Sequence, residues 1–414
     1  MTASASNPPP VTAQRTTNVF FTMLPVTLAL FVGFLTFGAP LPVLPLHVHD
    51  TLGMGTFVVG VLIGAHFAAA LLTRAWAGTI ADTRGPRLSV AMGFICATLA
   101  GLTFLVSLLF LRTPELSVGI LILGRILSGL AESLVVTGAL SWGVALVGPQ
   151  NAGKAMVWVG IAMYGAYGAG APVGMAVDRL AGFTGIALAM SIIPLLALAI
   201  VAFAPRVPSH ATTHATRRAK FTEVLASVWL PGLGLACCSA GFGVIMGFIS
   251  LLFAARGWGS ASLAFTAFGA AFIGVRLPFG HLPDKIGGAK VALVCVLIEA
   301  VGQLLIWDAS SVYTAYLGAA LTGIGYSMAF PGFGVEAVRR APPQSRGAAL
   351  GTYVAFFDIS LGVTGPVAGA IAHAYGIGTV YLACAGLVTL SAVAAIYLLA
   401  SPQAATRSPV AVKS

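Results

Sequence analysis

Apolar residues run along this chain in long blocks rather than in the alternating stripes of a soluble fold. From residue 19 onward, apolar stretches of 18 or more residues recur with brief polar interruptions, and each is long enough to cross a hydrocarbon layer of ~30 Å as a helix. The pattern predicts spans over residues 19–44, 57–79, 88–111, 117–146, 153–177, 184–204, 225–254, 261–282, 289–307, 312–338, 347–372 and 376–399. In lipid the backbone N–H and C=O groups have no water to bind, so each span must close its hydrogen bonds internally as a helix. The expected fold is therefore an all-α integral membrane protein of about twelve transmembrane helices. A polar tail (1–18), a six-helix bundle (19–204), a polar linker (205–224), a second six-helix bundle (225–400) and a short tail (401–414) complete the organisation. The first apolar block follows a polar, Pro-containing tail and lacks a small-residue cleavage site, so no removed signal peptide is expected.

Composition excludes a water-soluble core: 58% of the 414 residues are hydrophobic and 8% charged, against about 25% charged in an average soluble domain. The formal charge of +10 is sorted by loop. Fifteen of the 21 basic residues fall in segments on the side of the termini, three (Arg112, Arg179, Arg256) lie opposite, and Arg74, Arg125 and Arg276 fall within or at the ends of spans. Short basic loops stay in the cytoplasm, so both termini are expected on the cytoplasmic face of a bacterial inner membrane. No aromatic-interleaved basic face accompanies the charge, and nucleic acid is not an expected partner. All five cysteines lie inside predicted spans, without metal-ligand spacing.

The two halves repeat. Arg74-x3-Gly78-x3-Asp82, followed by Gly85 and Arg87, returns 202 residues later as Arg276-x3-Gly280-x3-Asp284, followed by Gly287 and Lys290. Pro149–Met156 matches Pro343–Leu350, and further along each helix Gly168 and Pro172 meet Gly362 and Pro366 at an offset of 194. Six-span halves in the same orientation imply a parallel repeat about an axis along the membrane normal, with a site between the halves near mid-membrane. On these motifs the chain resembles the major facilitator superfamily over essentially its whole length. The stretch from Gly78 to Arg87 is similar to that family's motif between its second and third helices, with Thr83 and Pro86 at positions usually basic. Arg125-Ile-Leu-Ser-Gly129 resembles its fourth-helix motif, and Gly168-Ala-Gly170-Ala-Pro172-Val-Gly174 its antiporter motif, with Ala171 separating a glycine and proline usually joined. The stretch from Pro331 to Gly369 resembles poorly characterised bacterial exporters of the YhhS type. The resemblance implies two six-helix bundles related by pseudo-two-fold symmetry. It also implies a cytoplasmic gate in which Asp82 and Asp284, supported by Arg84, Lys285 and Arg346, reach helix starts in the opposite half, where free N–H groups favour an anion.

Intramembrane charge is costly and marks candidate chemistry. Arg125, Ser128, Gly129 and Glu132 stand at i, i+3, i+4 and i+7 on one face of the fourth helix, suited either to proton or substrate coupling or to a static buried ion pair. Asp358 shares a face of the eleventh helix with Gly347, Gly351, Gly362, Gly365 and Gly369, a seam for close helix approach. It is expected to carry a coupling proton, or else to cap backbone or pair with an arginine of the other half. His66 is a lone polar residue in an apolar helix, a packing residue or a titrating one. Glu299 and Gln303 read as helix-packing groups, and Glu336 as a local partner of Arg339 and Arg340. Phe31, Phe34, Trp142, Tyr164, Tyr167, Tyr326 and Phe330 are candidate aromatic walls for a ring-bearing substrate.

Gly148-Pro-Gln-Asn-Ala-Gly153-Lys154-Ala155 nearly spells a phosphate-binding loop, but Ala155 replaces the hydroxyl residue and a membrane helix precedes it, so no nucleotide is expected. His210 and His214 lack a third ligand, and no cofactor or metal is expected. No clustered nucleophile and base suggests an enzyme. The expected activity is proton-coupled export of small amphiphilic metabolites or drugs by alternating access. The alternative is proton-coupled uptake of a sugar or organic acid. Protons, a small-molecule substrate and the lipid bilayer are the expected partners of a functional monomer.

Overall fold

The computed structural model describes residues 19–148, 151–204, 221–342 and 346–401. The two tails up to residue 18 and from 402, the linker 205–220 with His210 and His214, and residues 149–150 and 343–345 of the repeated turn lie outside the described residues. Twelve long helices make up what is described: α1 Val19–Gly38, α2 Thr56–Thr83, α3 Pro86–Ser107, α4 Pro114–Val147, α5 152–181, α6 183–203, α7 Phe221–Ala255, α8 Ser262–Phe279, α9 Gly288–Trp307, α10 Val312–Arg340, α11 Arg346–Tyr375 and α12 Thr379–Ala400. Large apolar side chains stand exposed along all of them, such as Phe21, Leu72, Phe203, Leu317 and Ile396, and ten helices among the described residues are long and apolar enough to cross a membrane.

Apart from shifts of up to four residues at other helix ends, two boundaries differ from those the hydropathy pattern predicts. Helix α1 stops at Gly38 rather than 44 because Pro40 and Pro42 interrupt it, and the chain continues as a short helical turn, Leu44–Thr51. Helices α5 and α6 have no loop between them, only a hinge at Gly182 (φ 62°, ψ −164°). Positive φ also explains two of the motif glycines: Gly85 (φ 96°) and Gly287 (φ 102°) turn the chain immediately before α3 and α9, and they are repeat mates.

Packing follows the repeat. In the first half α1 packs on α5, α2 on α4, α3 on α4 and α6; in the second α7 packs on α11, α8 on α10, α9 on α10 and α12. The halves meet through α2 with α11 and α5 with α8. Serine hydroxyls stitch neighbouring helices, Ser89 to the Leu134 carbonyl (2.9 Å) and Ser391 to that of Gly234 (2.7 Å). Arg87 donates to the carbonyls of Val201 and Ala202 at the end of α6, and Arg340 to that of Leu398 near the end of α12, where helix dipoles favour a cation. All five cysteines are free.

Candidate functional site

The helices alternate in direction, so Thr56 on α2 and Gly369 on α11 lie at the end of the bundle opposite the termini. There the halves are in contact. A Cβ on Gly60 would run into the carbonyl of Gly365, one on Gly64 would stand 2.6 Å from the Gly362 oxygen, and the Thr56 hydroxyl donates to the Gly369 carbonyl at 2.9 Å. In the second inter-half contact, Gly168 faces Gly269 and its carbonyl accepts from the Thr266 hydroxyl at 2.9 Å. Gly170 and Gly174 instead press on Gly38 at the end of α1 and on Ala39 just after it, within the first half. Towards the termini the α2–α11 contact gives way: Gly351 on α11 has open space where a side chain would project.

Just beyond the α2–α11 seam lies a bidentate ion pair between the halves. Arg74 Nε donates to Asp358 Oδ2 at 2.6 Å and Nη2 to Oδ1 at 2.8 Å; the carboxylate is buried, the arginine side chain 22% exposed. Of the roles open to Asp358, the geometry brings it to an arginine of the other half. Within the first half His66 Nε2 and Glu132 Oε2 stand 2.6 Å apart, both buried, and the Tyr167 hydroxyl donates to the same oxygen at 3.4 Å. Arg125 does not form an ion pair with Glu132; its Nε donates to the Leu62 carbonyl at 3.2 Å. Gly129 explains how α4 comes so near α2, because any Cβ there would strike the His66 carbonyl.

The space between these groups is largely filled with rings. Tyr164 stacks on Phe272 at 3.9 Å between centroids and its hydroxyl donates to that of Tyr326 (3.3 Å), while Phe242 stacks on Tyr326 at 5.4 Å and lies 6.0 Å from Tyr167. Phe34 packs edge-on to Tyr167, and Phe330 to Phe357. Trp142 is fully buried, and Phe31 is partly buried near Gly165. A residual cavity of about 20 Å³ remains beside Phe37, His66, Phe67, Arg125, Tyr167 and Met246, enough for one water. The rings thus close the path towards the end opposite the termini.

Asp82 and Asp284 do not reach the opposite half. Both are exposed at the separated end, without a side-chain hydrogen bond or ion pair among the described residues, as are Arg84, Lys285 and Arg346. The expected gate contact is absent because this is the end at which the halves part. Glu336 accepts from the Ala289 N–H at 3.2 Å, capping the start of α9, with Arg339 and Arg340 only at 3.7 and 3.8 Å. Arg74, Arg276 and the phenylalanines Phe242, Phe268, Phe272 and Phe357 were not among the sequence-based site candidates. A signal for part of the set was present: Phe268, Phe272 and Arg276 stand at i, i+4 and i+8, one face of α8.

Comparison with known proteins agrees with this fold. The sequence profile described as Major Facilitator Superfamily matches residues 26–260 and again 232–414. The chain is 42% identical over 361 residues to a protein of Escherichia coli strain K12 named as an uncharacterized MFS-type transporter, YhhS, covering 87% of this chain and 88% of that protein. It is 41% identical over 402 residues to an uncharacterized MFS-type transporter of Burkholderia mallei strain SAVP1, covering 96% of each. Among solved structures, an inward open xylose transporter, XylE from E. coli, superposes with a TM-score of 0.75 at 15% identity, covering 94% of this chain and 98% of that one. A bacterial homologue of the lysosomal transporter Spinster, inward-facing and occupied, superposes with a TM-score of 0.74 at 15% identity, covering 92% and 97%.

Proposed function

Because the chain belongs to the Major Facilitator Superfamily, we propose that it is a proton-coupled exporter of small amphiphilic molecules in a bacterial inner membrane. In this reading both termini are cytoplasmic, and the conformer described is open to the cytoplasm. The observation that carries the coupling is the bidentate Arg74–Asp358 pair joining α2 and α11. A proton on Asp358 cancels its charge and removes one of its two acceptor oxygens from the fork. Breaking a buried pair costs about 3–5 kcal/mol, close to the ~5.5 kcal/mol that moves a two-state equilibrium from 1:99 to 99:1. A single protonation is thus of the right size to release the halves where Gly60 and Gly365 meet.

Glu132, His66 and Tyr167 form a second proton-holding group within one helical layer, in the half that carries the fourth-helix motif. The two sites let a proton bound from one side alternate with substrate bound from the other. Export rather than uptake is supported by the similarity of Gly168–Gly174 on α5 to the antiporter motif, with Gly168 and Gly174 letting that helix come close to α8 and to the end of α1. Gate closure at the cytoplasmic end then brings Asp82 and Asp284 to the opposite half. A potential of ~100 mV supplies ~2.3 kcal/mol per charge, enough for a useful gradient of a neutral or singly charged substrate.

The test uses everted membrane vesicles with an internal pH dye, energised and then given amphiphiles, sugars and organic acids in turn. Substrate-triggered proton release that disappears in Asp358→Asn and Glu132→Gln is the expected result. Release that persists in both variants excludes these carboxylates, and proton-driven movement in the opposite sense selects uptake.

A further inference from the structure

Three arginines lie between or beside the facing helices, and two of them have partners within the protein. Arg74 holds Asp358, and Arg125 donates to the Leu62 carbonyl next to the Glu132–His66 pair. Arg276 on α8 has neither arrangement. Its guanidinium carbon lies 5.3 Å from the Phe272 ring centroid and would stand 3.8 Å from a Cβ on Gly160 of α5. Among the described residues no carboxylate comes within ion-pair distance of it.

The internal repeat accounts for the difference. Arg74 and Arg276 are mates at the offset of 202, and the offset of 194 that joins Gly168 to Gly362 and Pro172 to Pro366 makes Tyr164 the mate of Asp358. The pseudo-two-fold therefore carries the α2–α11 ion pair onto α8 and α5, where a phenol stands in place of the carboxylate. Tyr164 turns its hydroxyl to Tyr326 at 3.3 Å and its ring to Phe272. The carboxylates of this layer are already engaged, Asp358 by Arg74 and Glu132 by His66. A cation withdrawn from water without a counter-charge is costly, and Arg276 sits only partly exposed on the side where the halves separate.

We infer that Arg276 is the recognition cation for an anionic group, a carboxylate or another oxyanion, on an amphiphilic, ring-bearing substrate that enters from the end at which the halves part. The guanidinium fork suits a planar or tetrahedral oxyanion, and the second half supplies no carboxylate to do for Arg276 what Asp358 does for Arg74. This rests on the reading of the cleft as the substrate path.

Full-length protein in detergent is titrated with benzoate, benzamide, benzylammonium and sulfate while the thermal unfolding midpoint is followed. Benzoate is expected to raise the midpoint, and benzamide and benzylammonium are not. In Arg276→Gln the half-saturating benzoate concentration is expected to rise by about tenfold or more, the loss of a hydrogen bond to a charged group, and Arg276→Lys is expected to fall between. Tyr164→Asp, which gives Arg276 the partner that Arg74 has, is expected to remove the benzoate response in a protein that still unfolds cooperatively. Absence of any response to benzoate and sulfate in the wild type, an equal response to benzamide, or an unchanged response in Arg276→Gln overturns the assignment. The measurement needs neither membrane nor gradient. A vesicle assay without proton release but with an intact benzoate response therefore refutes coupling and leaves the anion site standing, and the reverse result refutes only the anion site.

Discussion

Glu299 on α9 is fully buried, facing Gly241 of α7 and Gly325 of α10, and neither carboxyl oxygen has a hydrogen-bond partner in the protein. Leaving such a group unsatisfied costs about 1–3 kcal/mol, so Glu299→Leu should raise the thermal midpoint of the protein in detergent; a fall would mean that the carboxyl is bonded and needed. His47, between α1 and α2 and outside the spans, lies flat on Phe183 with ring centroids 3.7 Å apart, and burial lowers its pKa from the ordinary 6.5 to about 4. The unfolded chain takes up that proton below pH 6.5 and the folded protein only near 4, so this residue's contribution is complete above 6.5 and is lost as pH falls towards 4. His47→Phe keeps the stack and should flatten that part of the midpoint's pH profile. Single residues were the least legible feature of the sequence. Spacing along α4 singled out Arg125 and Glu132, but the direct partner of the carboxylate, His66, comes from another helix at |i−j| of 66, and Arg74 and Asp358 are 284 residues apart. Periodicity fixes which residues share a helix face and says nothing of the helix opposite. Glu299 read only as a helix-packing group for the same reason.

Elements were far more legible, because an unbroken apolar block of the right length in lipid has one stable answer. The two departures arise where local chemistry overrides hydropathy, at Pro40 and Pro42 after α1 and at the Gly182 hinge that replaces a loop. Ten helices are apolar enough to be recognised as spans by hydropathy alone; the merged 152–203 stretch supplies two, and α10 is the twelfth, less apolar because so much of it faces protein. The glycine seam on α11 was also readable, as Gly362, Gly365 and Gly369 share a face, but its partner Gly60–Gly64 on α2 was not. The seam makes a sharp prediction at this scale. Gly365→Leu places a side chain against the Gly60 carbonyl and should prevent closure of the end opposite the termini. A cysteine placed there is expected to become reactive to impermeant maleimide from the side opposite the termini; unchanged reactivity would mean that the seam does not hold that end shut.

At the scale of the whole molecule the internal repeat was the most informative sequence feature. It set the two-bundle architecture, and in the structure it distinguishes the satisfied pair Arg74–Asp358 from its unsatisfied image at Arg276 and Tyr164. Which end is closed could not be read from sequence, since the gate motifs describe both states and Asp82 and Asp284 stand apart in this one. The central claim, that a proton on Asp358 unlocks the halves, is tested most directly by measuring a distance. Spin labels at Phe57 and Tyr375, both exposed and at the end opposite the termini in separate halves, would be followed in lipid nanodiscs from about pH 8 to about pH 5. The account predicts a single short distance at the alkaline limit, a growing longer population on acidification, and the longer population at every pH in Asp358→Asn. A wild-type distribution that ignores pH, or an Asp358→Asn variant that responds as the wild type does, would contradict it.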